Sequence, residues 1–418
     1  MTENHENALP TSTPPLNGIR VVDFSRLFAG PFAAQLLAEM GADVIKVEHP
    51  KSGDVARAYG VGDGETAESS SFVALNRGKR SVALDLKTEG GRAAAVRLAS
   101  TADVVIENFR PAVMGRLGLD YETLSRDNPG LVYCSISGFG SRGPLRDKAA
   151  NDLIIQAYSG LLSVTGEPGG APVRAGTAIA DLSTGVFAAL GIVSALHERG
   201  VSGQGQLVET TLLGSQMSMM NFVFADYWVN GIVAKPLGTA NRLGLPNQAF
   251  PTSDGWVVIA ATSDAMWRRC CAALGEPGLA EDERFNSLPQ RYRNRDELVA
   301  SVSALTARFD TKSCLGALTA HGVSSGPIND IREAAEDEHV AAMGILSAAE
   351  TINGQQTTVV GNPILFSRSD GQVLAAPPRL GEHTAAVLLD AGYTQAEIDE
   401  LLGDSVPIER DTIAETIG

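Results

Sequence analysis

The sequence predicts an α/β fold, with a large, doubly wound parallel-sheet domain of Rossmann-like layout and a smaller α+β domain. Three observations carry that expectation. Apolar strand-like runs alternate with helical patterns through the first half of the chain, which is the signature of successive β-α-β units. A length of 418 residues exceeds what one hydrophobic core ordinarily fills, so a second domain is expected. Hydrophobic residues at 44% and charged residues at 20%, with 44 Gly and 20 Pro, suit a globular enzyme and not a disordered or fibrous chain.

Residues 1–15 form a polar, proline-containing leader with nothing to bury, and are expected to be flexible. Ile19 to Phe24 then reads as a buried strand. Phe28-Ala29-Gly30-Pro31 opens a helix with Pro in its first turn, where a missing N–H costs no hydrogen bond. Phe32, Leu36 and Met40 recur at helical spacing, Gly41 closes the helix, and Ala42 to Val47 supplies the next strand. The alternation continues through a strand at Ser81 to Leu86, a helix at Glu89 to Ala99, and strands at Val104 to Glu107 and Leu131 to Ile136. The first β-α turn, Arg26 to Pro31, lacks the glycine pattern that seats a pyrophosphate on a helix, so no dinucleotide is inferred.

A helix beginning near Asp181 runs through Val186, Leu190 and Val193 to Glu198, and Gly200 to Gly205 breaks the chain before a strand at Gln206 to Glu209. The large domain accordingly takes residues 16–220. A change to Gly/Pro/Asn loops, a strand around Trp256 to Ala260 and Arg-rich helices assigns 221–330 to the smaller domain. Residues 331–418 return to the large one, with a strand-like stretch at Thr357 to Val360 and a last helix from about Thr384 to Asp390. No internal repeat is found.

The formal charge of -16, from 49 acidic against 33 basic residues, repels phosphate backbones and anionic lipid. No nucleic-acid or membrane partner is expected, and an anionic ligand needs a local cluster of Arg and Lys. Cys134, Cys270, Cys271 and Cys314 lack zinc-like pairing, and the six His show no ligand spacing, so no metal is assigned. The same cysteine usage, with no signal-like segment and no run of 18 apolar residues, suits a cytoplasmic protein.

Several ordered blocks resemble the class III CoA transferases, the family that includes formyl-CoA transferase, carnitine CoA transferase and the α-methylacyl-CoA racemases. They are Val21-Val22-Asp23-Phe24, Ala29-Gly30-Pro31, Gly41 to Glu48, Leu75-Asn76-Arg77-Gly78-Lys79-Arg80-Ser81, Glu107-Asn108-Phe109-Arg110-Pro111 and Ser137-Gly138-Phe139-Gly140. Gln156 to Gly160, Ala180-Asp181-Leu182, Gly322-Val323 and Gly326-Pro327-Ile328 extend the match, which spans about Leu16 to Gly392. The resemblance implies ring-shaped chains threaded through one another as an interlocked homodimer. It also implies transfer of CoA from an acyl-CoA, with succinyl-CoA or another dicarboxylyl thioester as the expected donor, to a small carboxylic acid. CoA thioesters are then substrates, and no tightly bound cofactor is implied.

In such chemistry a side-chain carboxylate attacks the donor thioester and carries CoA as an enzyme thioester, which keeps its energy from water. The resemblance gives that role to Asp181; from the residues alone, Asp181 is also a natural helix cap, and both roles are compatible. Asp152 is implied to lie near the reacting acyl group, and it too reads as a cap. In the racemases a proton-abstracting His precedes this acid; here Asn151 stands there and cannot exchange a proton near neutral pH, which disfavours racemisation. For CoA the resemblance points to Leu27, Phe28, His49, Leu75, Asn76, Arg77, Lys79, Asn108, Phe109, Arg110 and Arg116. Lys79, Arg80, Arg110 and Arg116 are expected to hold phosphates, and Leu75 and Phe109 to flank the adenine. The stretch Asn241 to Gln248 corresponds to a glycine-rich lid but carries one Gly and a Pro; Gln248 and Arg242 are its candidates for contact with the acyl group. Intramolecular CoA migration and non-catalytic thioester binding stand as alternatives on the same fold.

Overall fold

The computed structural model describes residues 13–59, 69–369 and 375–403, so most of the leader lies outside the described residues. Six parallel strands form the main sheet: β1 (Arg20–Asp23), β2 (Asp43–Glu48), β3 (Arg80–Ala83), β4 (Val104–Glu107), β5 (Val132–Ser137) and β6 (Leu207–Thr211). Their order is β3-β2-β1-β4-β5-β6, the doubly wound arrangement. The winding reverses between β1 and β4, which opens a crevice at the carboxyl ends of those two strands, where such sheets bind ligands.

Successive strand residues point to opposite faces, and both faces are covered, which explains the near-continuous apolar runs. Val22, Ile45, Val82 and Val105 pack against Ala94 and Leu98 of the helix Glu89–Ser100 and against Val387 and Leu388 of the helix Thr384–Asp390. Val21, Val44, Val104 and Ile106 pack against Ala33 and Leu37 of the first helix, Ala29–Glu39, and Ala188 and Ile192 of a long helix, Ile179–Ser202. The long helix starts two residues before the expected Asp181. Its buried side is mostly small, and at Gly185 an added Cβ would lie 2.8 Å from the Ala29 carbonyl oxygen and 2.9 Å from the Phe32 ring. Its other side leaves Val186, Leu190 and Val193 exposed. Among the described residues it is the one helix long and apolar enough to cross a membrane, although its alanine side is buried in the core.

The chain divides into two compact units. The first comprises, of the described residues, 13–159, 175–224 and 341–403, and the second 160–174 and 225–340. The second holds an antiparallel sheet of β7 (Asn247–Pro251), β8 (Trp256–Ala260) and β9 (Ser324–Pro327), around a core that includes Phe250, Ile259, Trp267, Phe285 and Leu298. The first unit also carries a hairpin, β10 (Leu346–Glu350) with β11 (Gln356–Val360), and a helix, Gln395–Leu402. β7, β9, β10 and that helix have no counterpart in the expectations above. All four cysteines are free and buried, and burial pushes the Cys270 thiol up to about 12, in keeping with a packing role.

Candidate active site

Two acids meet at the start of the long helix. Asn151 caps the helix Asp152–Tyr158, its Oδ1 accepting the Ile154 N–H at 3.0 Å, so Asp152 is that helix's first residue and not its cap. The buried Asp152 carboxylate turns instead to the long helix. Its Oδ1 accepts the Ala180 N–H at 2.9 Å, and its Oδ2 accepts from Gln156 Nε2 at 2.6 Å. Gln156 Oε1 in turn accepts the Ala175 N–H at 2.9 Å, fixing the approach to the helix. The residue at the helix boundary, Ala178, offers no side-chain cap, so Asp152 satisfies one of the orphan donors from another element.

Asp181 is the third residue of that helix, not its cap, and is half-buried. Its carboxylate accepts no hydrogen bond among the described residues. Burial, and then the like charge of Asp152, pushes it up to about 7. Near neutral pH it is therefore divided between a protonated form and a carboxylate with free lone pairs. The neighbouring Leu182 lines a largely apolar cleft of about 660 Å³ with Phe32, Leu36, Val73 and Val359.

The crevice at the ends of β1 and β4 gathers a second group. Asn108 laces its two loops together: Oδ1 accepts the Arg26 N–H at 2.9 Å and Nδ2 donates to the Arg26 carbonyl at 2.8 Å. The Phe109 N–H donates to Glu107 Oε2 at 2.8 Å, and the Arg26 guanidinium lies 4.9 Å from the centre of the Phe109 ring. A pocket of about 190 Å³ opens here, lined by residues that include Arg26, His49, Leu86, Phe109 and Leu117. That is below the ~300–1,000 Å³ of drug-sized sites, so it suits one portion of a longer ligand. Leu27 and Phe28 continue the β1 loop half-buried, and Arg110 and Arg116 are exposed on the β4 side.

Five of the expected CoA contacts are not at this crevice. Lys79 is fully buried, its Nζ 3.1 Å from Asp23 Oδ2 and donating to the Pro31 carbonyl and Asn76 Oδ1, both at 2.9 Å. Its charge is already neutralised, and so is that of Arg77, which pairs with Glu39 and donates to the Ala74 and Val360 carbonyls. Asn76 is buried beneath Lys79, and Leu75 lines the cleft beside Leu182 and not the Phe109 pocket. Arg80 pairs with Asp43 at 2.6 Å at the opposite end of the sheet. Lys79→Met is expected to destabilise the protein by about 3 kcal/mol, because it strips the buried Asp23 of its closest cation; urea denaturation measures it.

Sequence reasoning missed Arg26 and a second buried pair, Lys46 Nζ at 2.8 Å from Asp54 Oδ2. The signal was present, since a lysine inside Val44-Ile45-Lys46-Val47 sits in a strand covered on both faces and requires a partner. Gln248 and Arg242 belong to the second unit. Gln248, on β7, lines a cleft of about 840 Å³ with Trp256 and Arg295, and its Oε1 has no hydrogen-bond partner among the described residues. Arg242 donates to the Lys235 carbonyl at 3.2 Å. Among the described residues no three His, Cys, Asp or Glu side chains converge as a metal site.

The fold is that of solved CaiB/BaiF proteins: the crystal structure of one from Brucella suis superimposes with a TM-score of 0.82 at 36% identity, over 91% of this chain and 100% of that one. The model of CoA-transferase family III matches residues 16–384. Succinate–glutarate CoA-transferase of Agrobacterium fabrum is 41% identical over 387 residues, 91% of this chain and 97% of that protein. Succinyl-CoA:glutarate CoA-transferase of Homo sapiens is 34% identical over 402 residues, covering 95% and 91%. The chain belongs to CoA-transferase family III, and is thus an enzyme that moves CoA between acids.

Proposed function

We propose that the protein carries CoA from succinyl-CoA to a dicarboxylic acid such as glutarate through a thioester on Asp181. The observation that carries this reading is the Asp181 carboxylate, half-buried, free of hydrogen bonds and set at a helix start that Asp152 fixes. The names of the relatives support the substrates. An Asp181 oxygen attacks the thioester carbonyl, the C–S bond breaks, and a mixed anhydride and CoA thiolate result. The thiolate then attacks the Asp181 carboxyl carbon and expels the donor acid, leaving aspartyl-CoA. The acceptor carboxylate repeats both steps in reverse and regenerates Asp181.

Asp152 acts here by holding the Ala180 N–H and by raising the charge cost on its neighbour. The nucleotide portion of CoA is assigned to the β1–β4 crevice, with Phe109 and His49 at the pocket and Arg110 and Arg116 toward the phosphates. The exposed Val186, Leu190 and Val193 of the long helix, with the exposed Phe222 and Tyr227, support burial against a second copy, in line with the interlocked homodimer of the family. Four free, buried thiols support a reducing, cytoplasmic setting.

Mass spectrometry of the enzyme with succinyl-CoA and glutarate is expected to show glutaryl-CoA formed in step with released succinate. Solvent deuterium entering the α-carbon with no acceptor present would instead show the racemase reaction, for which Asn151 offers no base. CoA binding without turnover across a panel of acids would leave only a thioester-binding protein.

A further inference from the structure

The loop after β1 is held by side chains from β1, from β2 and from the loops that follow β2 and β4. The Ser25 N–H donates to Asp23 Oδ1 at 2.9 Å, and the Ser25 carbonyl accepts from Lys46 Nζ at 2.9 Å. Asn108 takes both the N–H and the carbonyl of Arg26. The Leu27 N–H donates to Asp54 Oδ1 at 3.1 Å. Five consecutive polar backbone groups, from the Ser25 N–H to the Leu27 N–H, are thus each fixed by a side chain.

Leu27 itself has a φ of 67°, and Ala112, in the loop beyond β4, has a φ of 65°; among the described residues they are the two without a glycine's freedom in the left-handed region. Such a conformation persists in a leucine only where its surroundings impose it. Asp54 is the side chain that takes the N–H of this residue. One oxygen accepts the Leu27 and Ala56 N–H groups, and the other pairs with Lys46, itself 0% exposed. Burial alone would raise Asp54, but the Lys46 ammonium outweighs it and keeps the carboxylate ionised. Asp54 therefore binds the loop to the strand lysine that also holds Ser25.

We propose that Asp54 is a positioning residue for CoA, which shapes the β1 loop before the ligand arrives so that binding spends little on ordering it. The inference rests on the assignment of CoA to the crevice made above. Two double variants isolate it. Lys46→Met/Asp54→Asn removes both buried charges and keeps an oxygen for the Leu27 N–H, whereas Lys46→Met/Asp54→Ala removes the same charges and the oxygen too. The first is expected to keep KM for the acyl-CoA within about threefold of the wild-type value, and the second to raise KM and the CoA Kd about tenfold, with kcat changed much less.

Equal KM values for the two folded doubles would overturn the proposal, even if both melt lower than wild type. Phe109→Ala and Arg116→Ala serve as the arm for the underlying assignment. If neither weakens CoA binding, the crevice is not the CoA site; if they do and the doubles remain equal, the positioning role alone falls.

Discussion

Asp181→Asn is expected to lower kcat/KM for CoA transfer by at least about 10³-fold, because an amide cannot open a thioester and no second carboxylate is placed to replace it. Asp152 does not substitute: both its oxygens are taken, by the Ala180 N–H and Gln156 Nε2, and it is buried. The wild-type enzyme incubated with succinyl-CoA alone should gain the mass of CoA on the peptide containing Asp181 and lose it on treatment with hydroxylamine. Asp181→Asn should gain nothing. A variant that still transfers CoA at the wild-type rate, or an adduct mapped to another residue, would remove Asp181 from the mechanism.

Activity should also rise with pH through the neutral range, unlike that of an enzyme with an ordinary aspartate. Burial and the Asp152 charge both disfavour the ionised form of Asp181, so the reactive carboxylate fills only as pH passes about 7. At two pH units below that midpoint roughly 1% of the enzyme carries the nucleophile, and kcat/KM should fall by about 100-fold. Asp152→Asn keeps an oxygen for the Ala180 N–H and removes the like charge, so its acid limb should move to lower pH, though not to the value of a free aspartate, since burial remains. A profile flat from pH 5 to pH 8, or a limb unmoved by Asp152→Asn, would show that the pair is not coupled as the geometry requires.

The sheet was legible because its strands are buried on both sides and read as short apolar runs, so five of the six lie within one or two residues of their expected places, and β3 starts one residue early and ends at Ala83, three residues short of the expected Leu86. The second unit was harder. Ser324–Pro327 contains Gly and Pro and forms β9 only because β8 lies beside it, a tertiary effect that propensity does not contain. The helix Gln395–Leu402 starts from a capping box formed by Thr394 and Glu397, a spacing that the sequence itself displays.

Charge was the less reliable guide to the site. Lys79 and Arg77 have the composition of phosphate contacts, but their partners, Asp23 and Glu39, lie 56 and 38 residues away in sequence, and no local spacing reveals such pairs. The bond from Ala180 to Asp152 spans 28 residues and was equally hidden, so both acids read as caps of their own helices. Each proved to be inside its helix, and Asp152 caps the other one.

The contact at Gly185 restricts how this enzyme can change over time. One turn after Asp181, the long helix meets the first helix with only a hydrogen between them, and a methyl group there would act as a wedge. Because the first helix continues directly from the β1 loop, that wedge would separate the nucleophile from the crevice, and displacements near 1 Å are enough to cost catalysis on the order of 100-fold. This position has no smaller residue to retreat to and no larger one it tolerates, so the spacing of the two helices is inherited as a fixed length.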